Sequence, residues 1–179
     1  SLALAAPRAA QRVQQLVFIT DGSVGNEDEL FRYIGGSLGD RRLFTVGIGS
    51  APNRHFMRGA ARFGRGTFTE VGTLEEVESR MNELWSKLEA PVMRDVALRF
   101  AGPPSEVWPR QVPDLYLGEP LVVLAKLGKG TSSVGVSGSL AGQSFKRELT
   151  LGQATGERGI HRLWARRAIE ALMDRSVLG

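Results

Sequence analysis

The chain contains no cysteine, and this absence removes several kinds of chemistry at once. Disulfide bonds, thiolate metal sites and catalysis by a thiol nucleophile are excluded. Histidine is scarce as well, because only His55 and His161 occur in 179 residues. His55 falls in the first turn of one predicted helix and His161 at the start of another, so we interpret both as surface residues. No Ser-His-Asp constellation can be argued from them.

Long apolar runs and dense basic blocks are absent too. No apolar run reaches the roughly 18 residues that a membrane-spanning helix needs. Lys and Arg total 23 against 19 Asp and Glu, which gives a net charge of +4. No run of five or more basic residues occurs, and aromatic side chains do not alternate with basic ones. We therefore interpret the basic residues as a solvated surface and expect neither a membrane span nor a nucleic-acid partner.

From residue 16 to residue 88, short apolar runs alternate with amphipathic stretches. The runs at 16–19, 43–48 and 67–71 predict strands, and the continuous run at 16–19 is typical of a strand buried on both faces. The stretches that follow each run predict helices. Their apolar stripes, which we interpret as core, are Leu30, Phe31, Ile34 and Leu38, then Phe56, Met57, Ala60 and Ala61, then Leu74, Val77, Met81, Leu84, Trp85 and Leu88. This alternating order predicts a parallel sheet with crossover helices.

Polar residues and glycines mark the predicted ends of these helices. Asn26 with Glu29 fits a capping box, Asn53 fits a single cap, and Gly64 with Gly66 fits a helix end. Thr73 with Glu76 repeats the capping-box pattern before the third helix.

After residue 91 the hydrophobic period changes to two. Strands are predicted over 92–100, 121–127, 132–140 and 143–151, with Ala141-Gly142 as a hairpin turn. The final helix is predicted over 160–175 and is expected to dock Trp164 and Leu172 on an apolar surface. We place a domain boundary near 89–91. The prediction is thus an α/β domain over 1–89 and a β-rich, sandwich-like antiparallel module with a terminal helix over 90–179.

Asp21 is the first candidate functional residue. It follows directly on the predicted strand at 16–19, within Thr20-Asp21-Gly22. Ligands of open parallel sheets bind at the carboxyl ends of the strands, which favours a functional role. An Asx turn leading into the next helix would use the same residue equally well. Spacing alone does not decide between the two interpretations.

Three segments together resemble the second half of a von Willebrand factor type A domain. They are Val17-Phe18-Ile19-Thr20-Asp21-Gly22, Phe44-Thr45-Val46-Gly47-Ile48-Gly49 and Ala60-Ala61-Arg62-Phe63-Gly64-Arg65-Gly66-Thr67-Phe68. Their order and spacing agree with the family over about residues 10–88. The resemblance implies a truncated Rossmann-like parallel sheet, half of such a domain. More loosely, Pro91-Val92, Trp108-Pro109 and Leu163-Trp164-Ala165-Arg166 are similar to the region that follows this domain in inter-alpha-trypsin inhibitor heavy chains and in their bacterial homologues described as proteobacterial sortase target proteins.

The resemblance also implies a metal site. In the family, the aspartate of Thr-Asp-Gly belongs to a metal-ion-dependent adhesion site and contacts Mg²⁺ through a water, which makes Asp21 the expected metal residue. The stretch from Asp21 to Gly25 nearly fits the family's first metal motif, Asp-x-Ser-x-Ser, but glycine occupies the fifth position and no other copy of that motif occurs. Mg²⁺ prefers about six oxygen ligands. We therefore expect an incomplete site here, with Mg²⁺ bound only by the intact parent.

The function implied by the resemblance is a non-catalytic, extracytoplasmic protein-binding or adhesion module at the cell surface, in the periplasm or secreted. Its parent would use Mg²⁺ to accept a carboxylate from a protein ligand. A structural or assembly scaffold with a degenerate metal site is the alternative. A Rossmann-like nucleotide-binding enzyme is the third interpretation. It is favoured only by Gly47-Ile48-Gly49 after a strand, and the third glycine and the acidic residue of that fingerprint are missing.

The strand at 16–20 carries an expectation of its own. In the resembled fold it pairs on one side with the domain's first strand, whereas residues 1–7 here resemble the end of a helix, so we expect the chain to be a fragment. The strand would then lie at an exposed edge without proline or charge to block pairing. We expect self-association through this edge, or its coverage by the N-terminal residues.

Overall fold

The computed structural model describes residues 13–21, 25–49, 53–102, 106–110, 112–152 and 159–178. The helix end expected over residues 1–7 lies outside these ranges. The chain divides into two compact units, the first comprising residues 1–89 and 177–179 and the second comprising residues 90–176. Each unit is described by itself.

The first unit alternates strands and helices, as predicted. Its elements are β1 (Gln15–Thr20), α1 (Glu27–Ser37), β2 (Arg42–Ile48), α2 (Arg54–Phe63), β3 (Arg65–Val71), a 3₁₀ turn (Leu74–Glu76) and α3 (Val77–Glu89). The strands form one sheet in the order β1-β2-β3, and both neighbouring pairs are parallel. The predicted α/β class with a parallel sheet is confirmed.

The middle strand, β2, lies at the centre of the unit. The side chains of Phe44, Thr45 and Val46 are completely buried. Burial of the Thr45 hydroxyl is tolerated because its Oγ1 donates a hydrogen bond of 2.9 Å to the Met57 carbonyl. This bond also ties β2 to helix α2.

Helices α1 and α2 pack together through the apolar stripes that the sequence predicts. Buried residues from both helices and from β2 form one cluster, and partly buried residues surround it. The rings of Phe31 and Phe56 lie 4.9 Å apart at a tilt of 57°, an arrangement that aromatic quadrupoles favour. The cluster consists of Ile34, Leu38, Leu43, Phe56, Met57 and Ala60, with Leu16, Leu30, Phe31 and Phe68 packed against it.

Two sequence predictions of burial in this unit are wrong. Strand β1 was expected to be buried on both faces, but Phe18 and Ile19 are 37% and 49% exposed. In the described residues, β1 has β2 as its single strand neighbour, so its far edge and part of its faces stay uncovered. Helix α3 buries Leu84, yet Trp85 is 46% exposed and Leu74 is 82% exposed. The helical stripe was correctly periodic, but only Leu84 is fully buried, while Val77, Met81 and Leu88 are half-buried.

Close packing against β2 requires two glycines, Gly64 between α2 and β3 and Gly66 at the second position of β3. A Cβ atom at Gly64 would lie 2.3 Å from the Leu43 Cβ, and one at Gly66 would lie 2.2 Å from the Leu43 carbonyl oxygen. Gly64 has an ordinary φ of −78°, while Arg65 adopts the left-handed φ of 57°. Helix α2 ends at this point as predicted. The two glycines leave space for Leu43, and the left-handed backbone at the helix end is adopted by Arg65 and not by a glycine.

The second unit is antiparallel and ends in a helix. Its elements are β4 (Met93–Phe100), β5 (Glu106–Trp108), β6 (Leu124–Lys126), β7 (Ser133–Leu140), β8 (Gln143–Thr150) and α4 (Ile160–Leu178). They form a three-stranded sheet in the order β4-β7-β8 and a separate pair, β5-β6. The antiparallel arrangement and the terminal helix are confirmed. The strand predicted over 121–127 is shorter than expected, since only three residues pair.

The hairpin between β7 and β8 turns at the predicted dipeptide. Ala141 and Gly142 both have positive φ, at 49° and 81°. Two consecutive positive φ values define the type I′ turn, whose twist matches that of the flanking strands. The turn sets the register of the hairpin, which pairs Leu140 with Gln143 and runs to Ser133 opposite Thr150.

Helix α4 does not bury its apolar residues as predicted. Leu172 is 54% exposed and Leu163 is 55% exposed, while Trp164 is half-buried. The docking predicted for Leu172 is therefore wrong, because apolar residues are distributed around the helix and one face cannot bury them all. None of the helices in the described part of the chain combines the length and apolar character that a bilayer crossing requires.

We expect Gly64→Ala to destabilise the first unit by about 1–3 kcal/mol, because the new methyl group must displace Leu43 in a closely packed sheet. Each kcal/mol corresponds to a decrease in Tm of about 4–8 °C in a unit of this size. Thermal unfolding followed by circular dichroism measures the effect.

Gly36→Ala is the matched control for that substitution. A Cβ atom at this helical position would meet no atom within 4 Å. The change should stabilise helix α1 by about 0.5–1 kcal/mol through a gain in helix propensity. Equal Tm values for the two variants would contradict the role given to Leu43.

Candidate functional site

Asp21 lies at the carboxyl edge of the parallel sheet. It follows Thr20, the last residue of β1, and its side chain is exposed. Thr20 pairs with Gly47 on β2, and Gly47 pairs with Glu70 on β3. These residues mark the level at which all three strands end. The edge next to Asp21 is therefore formed by the strand ends and by the turns that lead into the helices.

The turn into α1 differs from its prediction. Asn26 occupies the N-cap position but has a left-handed backbone, with φ 58° and ψ 48°, and its side chain makes no cap hydrogen bond. Its amide nitrogen instead donates to the Glu29 carboxylate. The predicted capping box is thus wrong in its geometry, although the two residues do interact. Asn tolerates this backbone because its short polar side chain can bond locally.

The turn into α2 follows its prediction and adds a contact between elements. The Asn53 Oδ1 accepts a hydrogen bond of 3.1 Å from the Phe56 backbone nitrogen, which confirms Asn53 as the helix cap. The Asn53 amide nitrogen donates to the carboxylate of Glu27, the first residue of α1. One amide group therefore caps α2 and connects the starts of both helices at the edge of the sheet.

An ion pair crosses from α2 to β3 beside this turn. The Arg54 Nε atom donates to Glu70 Oε1 at 2.6 Å, and a terminal nitrogen of the same guanidinium lies 2.6 Å from that oxygen. The hydrogen bond from Arg54 holds the pKa of the Glu70 carboxyl below its usual value, and the charges of Arg54 and Arg58 lower it further. The pair is exposed to solvent, so its contribution to stability is small.

The third predicted turn uses a modified capping arrangement. Thr73 precedes the 3₁₀ turn, but its side chain makes no cap hydrogen bond. The Glu76 carboxylate accepts from the backbone nitrogen of Gly72, at 3.0 Å. The pKa of the Glu75 carboxyl is lowered mainly by a hydrogen bond from its own backbone N–H and also by one from the Thr73 hydroxyl. The expected Thr73–Glu76 capping box is therefore replaced by two neighbouring side-chain bonds.

The fit of a magnesium ion to this edge is incomplete in the described residues. No group of three or more His, Asp or Glu side chains suited to a metal occurs in the part of the chain that the structure describes. Asp21 contributes one exposed carboxylate, and Glu27 and Glu70 are engaged by Asn53 and Arg54. Ser23, the hydroxyl residue nearest to Asp21 in the near-match to the first metal motif, lies outside the described residues. Mg²⁺ requires about six oxygens, so these groups do not complete a site.

The remaining candidates do not converge on a reaction centre. His55 and His161 are both exposed, which confirms them as surface residues. Gly49 has a φ of 87° and donates its backbone N–H to the Val71 carbonyl, at 2.8 Å. This glycine therefore continues the β2–β3 pairing past the end of β2, which is a structural role.

Several known proteins similar to this chain are named for one domain type. No protein-family model matches the chain. A von Willebrand factor A domain-containing protein of Dictyostelium discoideum is 26% identical over 170 residues, which cover 90% of this chain and 18% of that protein. Protein mono-ADP-ribosyltransferase PARP4 of Homo sapiens is 27% identical over 125 residues, which cover 64% of this chain and 7% of that protein. The chain thus spans less than a fifth of the length of these relatives.

A solved structure gives the same result at the level of the fold. The von Willebrand factor type A structure from Catenulispora acidiphila superposes with a TM-score of 0.54 at 18% identity, covering 79% of this chain and 42% of the other. The architecture described above is therefore of the von Willebrand factor A type. The chain is similar to proteins that carry this domain, and the similarity supports a domain of the protein-interaction or adhesion type.

Proposed function

We propose that this chain is a non-catalytic protein-binding or adhesion module and forms part of a longer, extracytoplasmic parent. The observation that carries the proposal is the parallel sheet of the von Willebrand factor A type, with Asp21 exposed at the carboxyl edge of β1. In open parallel sheets this edge is where ligands bind. The similarity to curated proteins named for the same domain supports the proposal.

We further propose that Asp21 takes part in a metal site of the longer parent. In the parent, Asp21 would belong to a metal-ion-dependent adhesion site, and a carboxylate from a protein ligand would complete the coordination of Mg²⁺. Carboxylate oxygens are ligands that Mg²⁺ prefers, and an open coordination position allows a partner to supply one. The described residues of this chain supply too few oxygens on their own. Mg²⁺ binding is thus assigned to the parent and not to this chain alone.

A scaffold with a degenerate metal site is the second candidate. It is favoured by the pairing of Glu70 with Arg54 and of Glu27 with Asn53, because these contacts occupy acidic groups that a metal would otherwise use. An enzymatic role has less support. One relative is named as a mono-ADP-ribosyltransferase, but the match covers 7% of its length. The resemblance to inter-alpha-trypsin inhibitor heavy chains and bacterial sortase target proteins remains part of the proposal.

Calorimetric titration with MgCl₂ tests the metal assignment. We expect this chain to bind Mg²⁺ no better than about millimolar, because one water-mediated carboxylate cannot replace the hydration shell of the ion. A longer version of the parent that includes the residues before this chain should bind at least tenfold more tightly. Asp21→Ala should abolish that gain, while Glu78→Ala, an exposed carboxylate on α3, should leave it unchanged.

Each outcome of the titration selects one interpretation. Micromolar binding by this chain, lost in Asp21→Ala, would show that the ligand set was misjudged. Weak binding by both the chain and the longer parent would reject the adhesion site and favour the scaffold. A gain in the parent that survives Asp21→Ala would remove Asp21 from the site.

Self-association through β1 is a further part of the proposal. Phe18 and Ile19 are well exposed, and the strand carries no proline or charge to prevent pairing. Among the described residues, β2 is the single strand that pairs with β1, so the backbone N–H and C=O groups on its other side can bond to another strand. We propose that a second copy of β1 covers this edge at high concentration when nothing else does.

Sedimentation velocity of Ile19→Lys tests this part. A charge in the middle of the exposed strand should weaken self-association at β1 by about tenfold or more, because the ammonium group would be buried by pairing. Tyr33→Lys is the matched control, since Tyr33 is 45% exposed on α1 and lies outside the sheet edge. Equal association constants for the wild type and Ile19→Lys would exclude β1 as an interface.

A further inference from the structure

Strand β8 forms an outer edge of the sheet in the second unit. It is eight residues long, and all of its side chains are exposed except that of Phe145, which is half-buried. β7 lies on its inner side, and in the described residues no strand pairs with its outer side. An outer strand of this length can accept another strand by backbone hydrogen bonding.

The register of the hairpin shows which backbone groups point outward. Leu140 pairs with Gln143 across the turn, and the Leu151 nitrogen donates to the Ser132 carbonyl at 2.8 Å. Residues of an antiparallel strand bond inward and outward in alternation, so the odd-numbered residues of β8 bond to β7. The outward groups are those of Ser144, Lys146, Glu148 and Thr150.

We propose that β8 pairs antiparallel with β8 of a second copy about a twofold axis at Arg147, which joins two sheets into one of six strands. In this register Lys146 lies opposite Glu148 of the second copy, twice by symmetry. Phe145 lies opposite Leu149, and Ser144 lies opposite Thr150. The even-numbered residues form the hydrogen-bonded pairs, which agrees with the outward direction of their backbone groups. Opposite charges and apolar pairs directly across strands both stabilise a sheet.

Neighbouring registers lack this complementarity. In the two nearest registers whose hydrogen-bonded pairs are still formed by even-numbered residues, either Lys146 lies opposite Lys146 or Glu148 lies opposite Glu148 of the second copy. Like charges that lie directly opposite each other destabilise a sheet. The proposed register has one unfavourable feature, the apposition of the two Arg147 side chains at the axis. Arg147→Thr should therefore strengthen the dimer. This interface lies in the second unit and does not depend on the proposed function or on Asp21.

A single introduced thiol tests the register directly, because the chain has no cysteine of its own. At the axis the two Arg147 residues form a non-hydrogen-bonded pair with Cα atoms about 4.5 Å apart, within the range of a disulfide. Arg147→Cys should therefore form an intermolecular disulfide in a glutathione redox buffer, seen as a dimer on a non-reducing gel. Lys146→Cys is the control, since its two copies would lie roughly 8 Å apart, too far for the bond.

Charge reversal tests the interface without a covalent bond. Lys146→Glu and Glu148→Lys should each weaken dimerisation about tenfold or more in analytical ultracentrifugation. Each change places like charges opposite each other at both symmetry-related positions. An equimolar mixture of the two variants should form a heterodimer, since every pair is then of opposite sign. Both substitutions are at exposed positions, and unchanged thermal unfolding verifies the fold.

The results that overturn the proposal are equally specific. Equal crosslinking of Arg147→Cys and Lys146→Cys would show random collision and not a defined register. A failure of the two charge variants to associate on mixing, with each folded, would also reject it. The crosslink formed by Arg147→Cys should persist when Ile19→Lys is added, and its loss would assign the contact to β1 instead of β8.

Discussion

The close approach of α2 and β3 to the Leu43 backbone is the constraint on which the first unit depends. Leu43 follows the first residue of β2, and it is closely approached by Gly64, at the end of α2, and by Gly66, in β3. The missing Cβ atoms allow β3 to lie beside β2 while α2 covers the sheet. The buried Phe44 and Val46 and the Thr45–Met57 hydrogen bond follow from this arrangement. Close packing of this kind leaves little tolerance for added volume.

The order of the elements could be predicted from the sequence because it depends on local periodicity. The apolar runs of β2 and β3, the stripes on α1 and α2 and the Ala141-Gly142 turn each carry their signal within a few residues. Several of the errors concern burial, which depends on neighbours. Phe18, Trp85 and Leu172 belong to correct elements, but their apolar character alone does not specify what lies against them. Gly64 was placed correctly at a helix end for a reason that only the packing reveals.

The position of the candidate site could be predicted from the sequence, but the contacts around it could not. Asp21 follows a strand, and that rule placed it at the sheet edge where the structure has it. The contacts around that edge were missed. Asn53 bonds to Glu27 across 26 positions of sequence, and Arg54 pairs with Glu70 across 16. No periodic pattern joins residues so far apart, and a single sequence carries no covariation to reveal them. The assignment of Asp21 to a metal site remains a prediction.

Strand β2 is the innermost strand of the first unit, and among the described residues no strand covers the outer edge of β1. Residue-resolved hydrogen exchange of the monomer at low micromolar concentration tests it most directly. The Arg42 nitrogen donates to the Gln14 carbonyl, so by alternation the Val17 and Ile19 amides point away from β2. We predict that these two amides exchange within seconds, while the Thr45 and Val46 amides exchange only on global unfolding. Protection of Val17 and Ile19 equal to that of Val46 would show that the chain itself covers this edge of β1, which would contradict an open edge.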